Sequence, residues 1–330
     1  MLERFGVTFD WRGASIEAIT TIALQADHSG CGYFFVGEAW GLEAFSTVGH
    51  VLTITKRIKV GTGVVSIYSR TPATIAMACA TLSQLAPGRF LLGIGTSGQG
   101  LVEAFHGIKF DKPFKRTREY VDAIRKIQSG EFVDYSGKSQ PPRIRLFTTP
   151  AIPPIPTYLG AIGEKNLALS GEISDGAIVT MYPISKLVHC RDMVRQGNAS
   201  KKVFAFIPIK ITSNDREESS GKMEVSKLVS FYISSMGKYY AQNLIKLGYE
   251  KQVNEIKQAA IAGGTSEAAR VISEDFLREF GLVGTASQII DRLARFPEGV
   301  NPILAFNAST AKDGGVAARA IRELSVVLNK

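Results

Sequence analysis

The chain has 330 residues, 45% of them hydrophobic and 21% charged, an ordinary balance for a folded chain with a large core. No uninterrupted apolar run reaches the ~18 residues a membrane span needs, and the first residues enter a strand at once, so neither a transmembrane segment nor a signal peptide is expected. The net charge is +9, yet the basic residues are scattered and form no stripe interleaved with aromatics. That pattern argues against a nucleic-acid partner and leaves a solvated surface or the attraction of an anionic ligand. Cys31, Cys79 and Cys190 form no metal-like pair, and their odd count, with Cys31 and Cys79 in apolar segments, suits a reducing cytoplasm and small core residues; no metal site is expected.

Taken in order, strands and helices alternate. Phe5–Phe9 reads as a strand and Ser15–Ser29 as a helix, with Ser15 as its cap and Gly30 as its stop. Tyr33-Phe34-Phe35-Val36 forms the second strand, and a helix over Ala44–Thr55 follows. The third unit carries the strongest signal. Ile58-Lys59-Val60-Gly61-Thr62 runs into Gly63-Val64-Val65-Ser66, crosses Tyr68-Ser69-Arg70, and Pro72 then opens a helix to Leu85. The fourth strand repeats the design: Phe90-Leu91-Leu92-Gly93-Ile94-Gly95 enters Thr96-Ser97-Gly98. Glycines at the end of a strand let a flat ligand approach bare backbone, because no Cβ stands in the way. A longer segment with Glu103 and His106 leads to a helix over Thr117–Ser129.

The proline-rich stretch 131–156 breaks the rhythm and reads as a short hairpin, with Tyr135-Ser136-Gly137 as its turn. Thr157-Tyr158-Leu159 then ends in Gly160-Ala161-Ile162-Gly163, followed by a helix over Glu164–Ile173. Ala177–Thr180 and Val203–Thr212 are strands six and seven, and Ile303–Phe306 is strand eight. Residues 215–277 are helical throughout, with breaks at Gly248 and Gly263-Gly264, and read as an insertion over one end of the barrel. Eight strands alternating with helices give an α/β fold of the (β/α)8 TIM-barrel type, one domain over 1–330. The rival is a doubly wound open sheet, which places one glycine-rich phosphate loop early. Glycine-ended strands at positions three, four and five fit a shared barrel mouth better.

These runs carry a resemblance. Glu38-Ala39-Trp40-Gly41, Tyr68-Ser69-Arg70-Thr71-Pro72, Leu92-Gly93-Ile94-Gly95-Thr96-Ser97-Gly98 and Phe110-Asp111-Lys112-Pro113 resemble the bacterial-luciferase-like flavin/deazaflavin superfamily. The similarity is greatest to the branch that uses coenzyme F420, which includes methylenetetrahydromethanopterin reductase. It continues through Tyr158-Leu159-Gly160-Ala161 and Val283-Gly284-Thr285 and weakens between Ser185 and Leu277. The resemblance implies a deazaflavin held at the barrel mouth, with a non-proline cis peptide at Gly63–Val64 behind the ring. It implies that Gly95, Thr96, Ser97 and Gly98 lie beside the ring, and that Gly160, Ala161, Ile162 and Gly163 give backbone to the ribityl chain and its phosphate. A homodimer is also implied.

Glu38 and Trp40 stand where the second strand leaves the barrel, the usual origin of catalytic groups. Two readings of Glu38 stand: an acid or base, or a carboxylate bonded to backbone or to Arg70. Trp40 stacks over the ring, lines the substrate pocket, or is a core aromatic. Related members carry an Asp-His pair where this chain has Glu38-Ala39, so that histidine is absent. Tyr68, Arg70 and His106 are candidates for substrate contact, with structural readings open for each. The function expected is hydride transfer between F420 and a small organic substrate, a methylenetetrahydromethanopterin-like pterin being one candidate. The alternatives are an FMN-dependent monooxygenase and a non-catalytic flavin- or deazaflavin-binding protein.

Overall fold

The computed structural model describes residues 2–134 and 144–328. Its strands are β1 (Gly6–Phe9), β2 (Tyr33–Val36), β3 (Lys59–Thr62), β4 (Val65–Ser66), β5 (Phe90–Gly95), β6 (Thr157–Gly160), β7 (Gly176–Thr180), β8 (Lys202–Ile211), β9 (Leu282–Gly284) and β10 (Val300–Phe306). Neighbouring strands pair in parallel in the order β1, β2, β3, β5, β6, β7, β8, and β10 pairs with both β8 and β1. The sheet therefore closes into an 8-strand barrel, the (β/α)8 architecture read from the alternation of strands and helices. The short β4 continues β3 beyond the Gly63–Val64 peptide and pairs with the upper end of β5. At the far end of β8, β9 adds a short parallel pairing.

Helices α1 (Ile16–Ser29), α2 (Ala44–Ile54), α3 (Pro72–Leu85), α4 (Pro113–Gln128), α5 (Glu164–Ile173) and α6 (Leu187–Arg195) follow strands of the barrel. Ser15 caps α1 by accepting from the Ala18 N–H, and Gly30 ends it in the left-handed region at φ 80°. One boundary differs from the sequence expectation. Helix α4 starts at Pro113 rather than Thr117, because proline at the first helical position loses no bond the helix would have made. An antiparallel bridge joins Val133 to Ile144, as a hairpin requires; the expected turn at Tyr135-Ser136-Gly137 lies outside the described residues.

The insertion comprises α7 (Asp215–Ser234), α8 (Lys238–Lys246), α9 (Glu250–Arg270) and α10 (Glu274–Arg278). The backbone of α9 leaves helical geometry at Gly263 and Gly264, and Gly248 separates α8 from α9 at φ 97°. These helices carry a small core of their own, including Val229, Ile233, Leu244, Val253 and Phe276. The chain then returns to the barrel through α11 (Ala286–Ala294), β10 and α12 (Ala311–Leu328).

Alternation along the strands decides where a ligand can go. Side chains at every second position point inward. Tyr33, Phe35, Leu91, Tyr158, Ile178, Phe204 and Ile303 pack together and plug the barrel. Phe204 lies at the centre of this plug, its ring 4.8 Å from Tyr33, 4.9 Å from Phe35 and 4.8 Å from Tyr158. Toward the mouth, inward positions at or just past the ends of β3, β5 and β6 are glycine: Gly63, Gly95 and Gly160. Large rings below and bare backbone above leave space for a ligand at the C-terminal face.

Candidate active site

A cleft of about 1630 Å³ opens at that face, between the strand ends and the insertion. Its floor is built by Val64, Gly95 and Gly160. A Cβ on Gly95 would lie 3.1 Å from Val64 Cγ2, and one on Gly160 would lie 3.1 Å from the same atom and 3.3 Å from Val64 Cγ1. The Gly63–Val64 peptide is cis. Thr96, Ser97, Gly98, Ala161, Ile162 and Gly163 line the walls next to this floor. All ten residues expected to touch a cofactor thus border one cleft.

Glu38 and Trp40 border it as well. The Glu38 carboxylate accepts two N–H groups of Arg70, each at 2.7 Å, and the backbone N–H of Ala44 at 2.9 Å. With three donors converging on it, this carboxylate ties backbone together; of the two readings open in the sequence, the geometry matches the bonded one. Trp40 is 45% exposed and meets Trp11 edge-on at 4.5 Å. It is a wall residue and not part of the core.

Tyr68, Arg70 and His106 are not among the residues lining the cleft. Tyr68 is buried, donates its hydroxyl to the Asp111 carbonyl at 2.7 Å, and stacks on Phe110. Arg70 is turned toward Glu38 and Glu43. His106 ends a π-helical turn, Leu101–Phe105, with its ring against Phe105. Glu103, three residues earlier, accepts from Gln99 and from the Phe110 N–H. The reason is directional: position in a loop fixes a residue's neighbourhood, while side-chain direction is set by the partners within reach.

Sequence reasoning passed over one group. Asp10, Trp11 and Arg12 follow directly on β1 and line the cleft. Arg12 holds Asp10 at 2.9 Å from Nε to Oδ1 and 2.5 Å from Nη2 to Oδ2, and its guanidinium lies 4.8 Å from the Phe231 ring centre. Two opposite charges around an aromatic at a strand's C-terminal end were the available signal. Tyr232 and Tyr240 of the insertion, rings 5.0 Å apart, line the same cleft beside them. Burial pushes both phenols upward from the ordinary tyrosine value, so they stay protonated and neutral.

Other groups take no part. Burial pushes the thiols of Cys31, Cys79 and Cys190 up to about 12, which keeps them from being thiolate nucleophiles. Glu172 pairs with Arg118 at the surface, and Asp175 accepts the Thr157 N–H at 2.8 Å. Among the described residues no cluster of three His, Cys, Asp or Glu could hold a metal ion, and no helix is long and apolar enough to cross a membrane.

The model of the luciferase-like monooxygenase family matches residues 4–300. The chain belongs to that family. This luciferase-like enzyme is 28% identical, over 83% of its length and 85% of the other's, to a protein of Mycobacterium tuberculosis named as a coenzyme F420-dependent oxidoreductase. It is 26% identical, over 92% of both chains, to 5,10-methylenetetrahydromethanopterin reductase of Archaeoglobus fulgidus. Among solved structures, the F420-dependent tetrahydromethanopterin reductase of Methanopyrus kandleri superposes over 99% of both chains with a TM-score of 0.75 at 20% identity. At that identity the last likeness concerns the fold. Membership of an enzyme family sets aside the non-catalytic reading.

Proposed function

We propose that this luciferase-like enzyme binds coenzyme F420 at the barrel mouth and exchanges a hydride with a small organic substrate held under the insertion. The observation that carries the reading is the floor of Val64, Gly95 and Gly160, where a Cβ on either glycine would crowd Val64. A planar tricycle fits such a surface, and the names of the two sequence relatives point to a deazaflavin rather than a flavin. When bound, the deazaflavin supplies the hydride chemistry.

The chain's own residues orient and enclose. Gly160 and Ala161 are tied to β7, and Ile162 and Gly163 lead from them into the start of α5, whose first N–H groups suit a phosphate. Gly95, Thr96, Ser97 and Gly98 border the ring. Trp40, with Trp11, walls the substrate side and keeps water from the reacting face. Glu38 holds the loop that carries Trp40, and Arg70 and Tyr68 hold the opposite loop, so these act through position. A pterin related to methylenetetrahydromethanopterin is a candidate substrate, since the aromatic wall of Trp11, Trp40, Tyr232 and Tyr240 suits a flat heterocycle.

Titration with F420 and with FMN tests the reading, together with oxygen uptake by protein loaded with each reduced form. Micromolar or tighter F420 binding without oxygen consumption is expected. Preference for FMN with oxygen uptake would instead make the chain a monooxygenase, in line with the description of its family. Light scattering on the same preparation reads whether it is the homodimer we expect.

A further inference from the structure

Helix α5 begins at the cleft without a side-chain cap. Its N-cap is Gly163, whose carbonyl accepts from Asn166 and Leu167, each at 2.9 Å. The first-turn N–H groups of Glu164 and Lys165 have no intrahelical acceptor, as at any helix start. Across the gap stands Asn243 of α8, only 9% exposed, and its Nδ2 is buried without a hydrogen-bond partner. The amide atom nearest the helix start is Oδ1, 3.9 Å from where a Cβ on Gly163 would be, and a half-turn of the amide exchanges it with Nδ2 and presents the free donor there. A buried amide with a free donor is uncommon in a folded chain, and its neighbours Ala241 and Leu244 show that this face of α8 otherwise packs apolar groups. Lys246, one turn on from Asn243, and Lys165 also line the cleft. Glu164 is the opposing charge there, and it approaches His189 at 3.8 Å.

We propose that Asn243 is a ligand-positioning residue which the insertion lends to the start of α5, where its amide donates to a phosphate ester ending the cofactor's ribityl chain. The inference rests on the cofactor reading above and adds to it a side chain from outside the barrel. A phosphate with free oxygens accepts from several donors at once, so the two backbone N–H groups and the amide can all be satisfied together. Lys246 and Lys165 add attraction at the rim without fixing geometry. The insertion thereby supplies a contact that distinguishes a cofactor carrying its phosphate from one without it.

The test compares ligands with and without that phosphate: F420 against its phosphate-free deazaflavin riboside, and FMN against riboflavin. Dissociation constants are measured by fluorescence titration for the wild type, Asn243→Leu and Asn243→Asp. The two pairs separate a phosphodiester source from a phosphomonoester one. In the pair that the wild type prefers, N243L is expected to weaken the phosphorylated ligand roughly 10- to 100-fold and to leave the phosphate-free one within about twofold. N243D is expected to lose at least as much, because a carboxylate repels phosphate. Should N243L not fold, the isosteric N243D reads the same difference. Equal weakening of both members of a pair would make Asn243 a structural residue, and unchanged F420 or FMN binding by N243L would overturn the inference alone. A wild type that binds none of the four ligands overturns the cofactor reading, and this inference with it.

Discussion

Arg70 meets Glu38 through two parallel bonds, Nη1 to Oε1 and Nη2 to Oε2, both 2.7 Å long. The pair joins the loop after β2 to the loop after β4, and only 16% of the arginine side chain and 12% of the glutamate are exposed. Nη2 also reaches Glu43, which caps α2, and the guanidinium lies 5.1 Å from the Phe45 ring centre. Hydrogen bonds donated to Glu38 hold Arg70 above the ordinary arginine value, outweighing partial burial. Trp40 lies two residues beyond Glu38, so this clamp fixes one wall of the cleft.

Breaking the clamp from either side has unequal effects. Arg70→Met leaves a carboxylate in a shielded place with one backbone donor and is expected to destabilise by about 3 kcal/mol. Glu38→Gln keeps one acceptor oxygen, removes the charge and turns the other oxygen into a donor, for about 1–2 kcal/mol. Urea unfolding of the two variants and of the double mutant reads the coupling directly. Losses below about 0.5 kcal/mol in both would mean that solvent screens the pair.

Asp27 sets part of the acid limb of stability. Its side chain is 8% exposed and accepts the N–H groups of Lys56 at 3.1 Å, Arg57 at 2.9 Å and Ile58 at 2.8 Å, holding the turn before β3. Burial pushes its carboxyl upward, but the three N–H groups and the Arg57 charge outweigh this and leave it below the ordinary aspartate value of 3.8. A lowered folded value means that the contribution is complete above the unfolded value and is lost as pH falls through the folded one. Asp27→Asn is therefore expected to lose about 1–2 kcal/mol near neutrality, the gap to wild type closing below about pH 4. Denaturant midpoints between pH 7 and pH 2.5 check this; a gap independent of pH would contradict it.

The barrel was legible because its signals are local. Alternating β-branched and aromatic residues mark each strand, Ser15 and Gly30 bracket α1, and Glu164–Ile173 stands as read. The glycine-ended strands were legible as a group for the same reason, since removing a Cβ is a property of sequence alone. What escaped depends on direction and on distant neighbours. Whether Arg70 turns to a ligand or to Glu38 is decided by a carboxylate 32 positions away. Asp10-Trp11-Arg12 reads as an ordinary strand exit until β1 is seen to end at the cleft. Asn243 sits in helices whose pattern fixes their own small core but not their placement over the barrel.

The glycine floor gives a prediction of affinity with little effect on stability. Gly160→Ala places a methyl 3.1 Å from Val64 Cγ2, tight enough that Val64 must shift by a few tenths of an ångström. Overpacking of this kind costs about 1 kcal/mol in stability. Val64 is itself part of the floor, so its displacement is passed to the seat of the ring, and F420 affinity is expected to fall at least tenfold, roughly 1.4 kcal/mol. Thermal midpoints beside fluorescence titrations separate the two effects. An alanine variant that binds F420 like wild type would show that the ring rests elsewhere.

Trp11 and Trp40 are the chain's 2 tryptophans, and both line the cleft with their rings 4.5 Å apart. All tryptophan emission therefore originates at the cleft. A ligand seated on the glycine floor beneath them is expected to quench most of that emission in a saturable titration. Because Trp40 is 45% exposed, Trp40→Phe should change unfolding free energy by less than about 1 kcal/mol. It keeps Trp11 as the sole reporter, so quenching by F420 persists with an unchanged midpoint if the cofactor touches only the floor. The substrate, which is to lie between floor and wall, loses aromatic contact worth about 1 kcal/mol, and its KM is expected to rise roughly fivefold with kcat held within about twofold. A kcat that collapses while KM stays fixed would place Trp40 at the reacting atoms, and emission indifferent to every ligand would place binding outside this cleft.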